Sequence, residues 1–189
     1  MRPHTDTRAR IQEIALQLFT EQGYEATSLR EIAELLGVTK AALYYHFKTK
    51  DDIVASLAED RRAAIERLVA WAKEQPRTIE SRRELIRRYA AEVYSGQHHA
   101  FMRFMERNQT ALRGHPKFDK MRNLMTTLSG VLWDEGAKVD ERLRCSMAIF
   151  TLHAAWFVLK DEKLSDDERK DAALGLALEL LESAQPSAS

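Results

Sequence analysis

Between Thr27 and Phe47 the chain reads TSLREIAELLGVTKAALYYHF, and this string constrains the fold more than any other. Ser28 followed three residues later by Glu31 is a capping box, the signature of a helix start. Leu29, Ile32, Ala33 and Leu36 then recur at helical spacing as a stripe to be buried. Gly37 ends that helix, because glycine enters the left-handed conformation without steric cost. Thr39 caps a second, short helix from Lys40 to about Phe47, with Val38, Leu43 and Phe47 facing inward. Two helices joined by a tight glycine-centred turn form a helix-turn-helix pattern. Ala33 is small where the third helix of such a head must approach.

The same periodicity organises the rest. Ile11, Ile14, Ala15, Leu18 and Phe19 lie on one face of a first helix, with Thr5, Asp6 or Thr7 as its cap and Gly23 just past its end. Thr49 and Asp52 form another box, opening a helix from Lys50 to near Lys73 anchored by Ile53, Leu57, Ile65 and Leu68; Pro76 stops it by removing an amide donor. Five more helices are expected near residues 79–95, 97–113, 117–135, 139–162 and 165–183. No stretch reads as a strand. The chain of 189 residues is therefore all-α with about nine helices. A three-helix head occupies residues 1–49, a larger helical domain residues 50–183, and residues 184–189 form a tail expected to be disordered.

Lys and Arg total 29 and Asp and Glu total 29, so net charge points to no partner. Any such signal is local. From Val38 to Lys50 there are three lysines and no acid. Once Val38, Leu43 and Phe47 turn inward, the outward face of the short helix carries Lys40, Ala41, Tyr44 and Tyr45, while His46, Lys48 and Lys50 lie where phosphates would be met. Lys40 suits guanine acceptors and the Tyr44 ring a thymine methyl. The alternative is an aromatic core plug with solvated lysines. No apolar run approaches the roughly 20 residues of a membrane span. The first residues lack the apolar region of a secretory signal, and the single Cys fits a reducing compartment. A cytoplasmic location is expected.

From Arg8 to Leu57 the chain resembles the TetR family of transcriptional regulators. The likeness rests on LFTEQGYEATSLREIAELLGV followed by TKAALYYHFKTKDDI, with the patterns G-Y-x-x-T-S, I-A-x-x-x-G-V and L-Y-x-H-F-x-x-K. The resemblance implies that Thr27 and Lys50 bind phosphate, that Tyr45 and His46 touch the DNA backbone, and that Arg30, Thr39, Lys40, Ala41 and Tyr44 face bases. Phosphate contacts set register and base contacts set sequence. It further implies a homodimer on a near-palindromic double-stranded DNA operator, and a small-molecule effector bound in a cavity among helices five to eight.

The later residues are rich in aromatics and methionine; five of six Met fall between residues 102 and 147. Methionine is flexible and suits varied apolar ligands, and it equally suits plain core packing. Candidate ligand residues are Phe101, Met105, Met125, Trp133, Phe150 and His153, with Arg103 and Asn108 as polar anchors. Gln109 and His98 are further candidate anchors. Helix eight is apolar on two faces. Leu143, Met147, Phe150, Ala154 and Phe157 form one; Ile149, Leu152, Trp156 and Leu159 form the other. One face belongs to the chain's own core and the other needs a partner. The dimer residues are taken as Leu152, Trp156 and Leu159 with Leu174, Leu178 and Leu181 of helix nine, whose second side carries Leu176 and Leu180.

No catalytic set is visible. Cys145 and His153 stand two turns apart on one helix, a poor nucleophile–base pair. His98 and His99 point apart, and His115 adds no ligand spacing. No metal or cofactor is expected, and no enzymatic activity. The reading is a ligand-responsive repressor, with an activator of the same family or a helical small-molecule carrier with a vestigial head as alternatives.

Overall fold

The computed structural model describes residues 4–107, 117–159 and 163–184. The described residues form nine helices and no strand: α1 His4–Glu21, α2 Leu29–Leu36, α3 Lys40–His46, α4 Lys50–Glu74, α5 Ile79–Val93, α6 Gly96–Arg107, α7 Lys117–Gly130, α8 Val139–Val158 and α9 Asp166–Ser183. None is long and apolar enough to cross a membrane. The tail expected to be disordered lies outside the described residues from 185 onward, as do residues 108–113 of the expected sixth helix.

Contacts divide the chain into two compact units. The first holds residues 1–61 together with 96–118, the second residues 62–95 together with 119–189. This differs from a division at residue 49. The first half of α4 belongs with the head, because Ile53, Val54 and Leu57 are buried in its core. So does α6, because Phe101 and Phe104 complete that core. Phe104 lies 5.4 Å from Phe19 and 6.2 Å from Tyr24, ring centre to ring centre. Gln12 is buried on the α1 face beside the apolar stripe. Its amide donates to Ser56 Oγ at 2.8 Å and to Asp60 Oδ2 at 2.6 Å, which offsets its desolvation and fastens α1 to α4.

The second unit builds its core on Leu85, Ile86 and Tyr89 of α5, Cys145, Ile149 and Leu152 of α8, and Ala173, Ala177 and Leu181 of α9. Alanines at 148, 155, 173 and 177 are buried along α8 and α9, where small side chains let the helices approach. Ser165 and Glu168 cap α9 reciprocally.

Two boundaries depart from the sequence reading. Helix α1 starts at His4, so Thr5, Asp6 and Thr7 fall inside it. Helix α7 ends at Gly130 rather than near 135. There the Leu132 amide turns back to the Ser129 carbonyl at 3.0 Å, which lets the Leu132 side chain enter the core. Gly136 does adopt a left-handed conformation, but it closes the following turn.

Candidate functional site

The α2–α3 pair is assembled by its caps. Ser28 Oγ accepts the Glu31 amide at 3.2 Å, and the Glu31 carboxylate accepts the Ser28 amide at 2.7 Å. Hydrogen bonding of that carboxylate to the Ser28 hydroxyl, and then to the Ser28 amide, holds the Glu31 carboxyl below the usual range. Gly37 sits at φ 71°, with its amide on the Glu34 carbonyl and the Val38 amide on the Ala33 carbonyl, a Schellman closure. Thr39 Oγ1 accepts the Ala42 amide at 3.1 Å and starts α3. Leu43 and Phe47 are buried and dock α3 onto the head core. Lys40, Ala41 and Tyr45 are then exposed on one surface, Tyr45 at 73 %. Tyr44 is half-buried against the core, with the Lys40 ammonium 5.3 Å from its ring and the Lys48 ammonium on its carbonyl at 2.6 Å. His46 is half-buried and meets the Tyr45 ring edge-on at 5.3 Å.

Three DNA-facing candidates are engaged within the head. Thr27 is 2 % exposed; its hydroxyl donates to the Gly23 carbonyl at 2.9 Å and accepts from Gln22. The cap of α2 is Ser28, so the Thr27 side chain holds the preceding turn and does not present a donor to phosphate. Arg30 is exposed, with Nε on Glu34 at 2.7 Å along its own helix. Lys50 donates to the carbonyls of Tyr24 at 2.6 Å and Glu25 at 3.3 Å. The Tyr24 hydroxyl donates to Asp51, and burial, then that carboxylate, push its ionisation well above the ordinary range.

The described ligand candidates are divided between the two units. Phe101 is buried in the first unit's core. Arg103 lines a groove of about 580 Å³ beside Leu16, Thr20 and Ala100, also in the first unit. The Met105 side chain and the whole of Asn108 and Gln109 lie outside the described residues. Phe150 is 52 % exposed and faces away from the core, since the opposite face of α8 packs against α9. Trp133 is half-buried with the Arg142 guanidinium 5.6 Å from its ring. Within the second unit Met125 and His153 converge on Tyr89, which sequence reasoning missed. The Tyr89 hydroxyl lies 2.6 Å from His153 Nε2 and 3.3 Å from Met125 Sδ. Its signal was present as a hydroxyl-bearing ring on the buried stripe of α5.

The dimer candidates also require correction. Leu152 and Leu181 are fully buried in the chain's own core. Trp156 stacks on Tyr94 at 5.2 Å beneath the Arg169 guanidinium, and Leu159, Leu174 and Leu178 pack against the same core. The outward stripe of α8 is the other one: Leu143, Met147, Phe150 and Phe157 are each 44–60 % exposed, and Leu176 of α9 is 50 % exposed.

Residues 11–57 match the family model described as bacterial regulatory proteins, tetR family. Over 54 residues the chain is 48 % identical to the HTH-type transcriptional regulator AcrR of Shigella flexneri, covering 29 % of this chain and 25 % of that protein. The chain thus aligns with about a quarter of the length of the curated relatives it matches. The likeness in structure is longer. A TetR family regulator, PfmR of Thermus thermophilus, matches with a TM-score of 0.65 at 27 % identity, over 90 % of this chain and 97 % of that one. A SmeT–triclosan complex matches with a TM-score of 0.66 at 20 % identity, over 92 % and 90 %.

Proposed function

We propose that this chain is a regulator of the TetR family, a ligand-responsive repressor that binds a near-palindromic operator as a homodimer; the match of residues 11–57 to that family's model supports the reading. The observation that carries this reading is the α3 surface. A seven-residue helix, capped by Thr39 and anchored by Leu43 and Phe47, leaves Lys40, Ala41 and Tyr45 outward. Small, cationic and hydroxyl-bearing side chains on one short rigid helix suit a major groove. Two such heads reach successive grooves about 34–36 Å apart.

The outward stripe of α8 supports the homodimer. Leu143, Met147, Phe150 and Phe157, and Leu176 of α9, are large apolar side chains left exposed, as at an interaction surface. Exposed Ala154 between the two phenylalanines gives a second copy of α8 room to approach. An effector held in the second unit acts along α4, one unbroken helix from Lys50 to Glu74 that contributes to both cores. It shifts the population only if it binds the two states unequally. The triclosan held by a structural neighbour supports a small amphipathic effector.

A gel shift with the DNA upstream of the protein's own gene, beside light scattering of the free protein, tests the reading. A dimer that retards this DNA and releases it in high salt is expected. A monomer that ignores it overturns the proposal.

A further inference from the structure

The second unit contains a cavity of about 380 Å³ between the end of α4, the start of α5 and the end of α7. None of the described ligand candidates lines it. Its charge is one-sided. Lys73, Arg77 and Arg82 line it, and no acidic side chain does among the described residues. Asp134 stands next to it. Its carboxylate accepts from Arg82 Nη2 at 2.6 Å and from Arg77 Nη1 at 3.3 Å. The Arg82 side chain is 8 % exposed, so this buried guanidinium is held in a fixed orientation.

One carboxylate against three cations leaves two positive charges unbalanced around the space. A tie between α5 and the turn after α7 explains Asp134 and Arg82. It does not explain why Lys73, which has no ion pair among the described residues, is brought to the same walls. The remaining walls combine apolar Leu85, Val131 and Pro76 with polar Gln75, Ser81 and Thr127. The volume is that of a small-molecule site. Guanidinium groups are shaped to grip carboxylates, as Asp134 already illustrates.

We propose that this cavity takes a small organic acid, its carboxylate held by Lys73 and Arg77 beside the fixed Arg82 and its apolar body laid against Leu85 and Val131. As an effector site the cavity depends on the repressor reading above; as a binding site it stands by itself. Occupancy bears directly on α4, whose Ala72 and Lys73 form part of the wall.

Isothermal titration of the full chain with benzoate, phenylacetate and succinate, and with neutral benzamide, tests it. At least one acid should bind saturably and benzamide should not. Lys73→Gln and Arg77→Gln, both at exposed positions, should each weaken that acid about tenfold, as loss of one charged hydrogen bond does. Arg87→Gln, exposed on α5 and away from the cavity, should leave it unchanged. No saturable acid binding, equal binding of benzamide, or equal affinity in all variants overturns the site. The same preparations go into the gel shift. DNA binding without acid binding rejects this site and leaves the regulator reading standing; acid binding without DNA binding does the reverse.

Discussion

The Lys50 ammonium donates to the main-chain carbonyl of Tyr24 at 2.6 Å and lies 4.5 Å from the centre of the Tyr24 ring. The first residue of α4 thereby fastens the turn between α1 and α2. The family likeness assigns Lys50 to a phosphate. In the free head two of its three donors are already on the carbonyls of Tyr24 and Glu25, so the same ammonium that would meet a phosphate also holds the turn.

Lys50→Ala therefore has two separable consequences. Loss of charged hydrogen bonds to the turn lowers the stability of the free protein, by about 1.5–3 kcal/mol in urea denaturation. Loss of a phosphate contact lowers affinity for all DNA sequences alike and reduces the salt slope by about one. A slope left intact beside a lowered urea midpoint identifies Lys50 as a clamp of the head alone.

Gly37→Ala isolates the backbone contribution of the turn. The φ of 71° is left-handed, and a Cβ built there meets no heavy atom within 4 Å, so sterics beyond the residue itself add nothing. The expected loss is about 1–2 kcal/mol, the left-handed penalty of an ordinary residue. Gly37→Asn should lose less, because asparagine tolerates this conformation. Equal stability of the alanine variant and the parent in chemical denaturation would mean that the turn is not held as described.

These features were legible in the sequence because they are local. Ser28 with Glu31, Gly37, Thr39, and Thr49 with Asp52 each state their role within four residues, and the structure forms every one of these bonds. What depends on distant partners was not legible. Phe101 and Phe104 are apolar in any environment, and nothing near them states that the waiting core is that of Phe19 and Tyr24. Helix α8 shows two apolar faces of similar strength. The choice between them lies with Ala173, Ala177 and Tyr94, which receive the Leu152 and Trp156 face. Glu31 names Ser28 as the cap of α2, but nothing near Thr27 states that its hydroxyl turns back to the Gly23 carbonyl.

Opposite effects on the two faces of α8 follow. Phe150→Glu places a charge on the outward stripe; it should shift sedimentation from dimer to monomer while the circular dichroism of the helices is retained. Leu152→Ala leaves a cavity in the chain's own core and should cost about 2–5 kcal/mol in denaturation. A Phe150→Glu protein that still sediments as a dimer would remove the outward stripe from the interface.

Cys145 gives a pH-dependent test of the second core. Burial pushes its thiol up to about 11, and its sulfur donates to the Leu132 carbonyl at 3.5 Å. The folded state thus prefers the neutral thiol, whereas the unfolded chain ionises near about 8.5. The stability this contributes is complete below the unfolded value and is lost as pH rises from there towards the folded one. Tyr94, pushed up to about 12 chiefly by burial, adds a loss of the same sign starting near about 10. Denaturation midpoints should therefore fall with rising alkalinity, and Cys145→Ala should flatten the earlier part of that fall while leaving the Tyr94 part. A thiol reagent at pH 8 should label the native protein slowly and the unfolded protein at once. Rapid labelling of the native state would place Cys145 outside the sealed core that Leu132 closes.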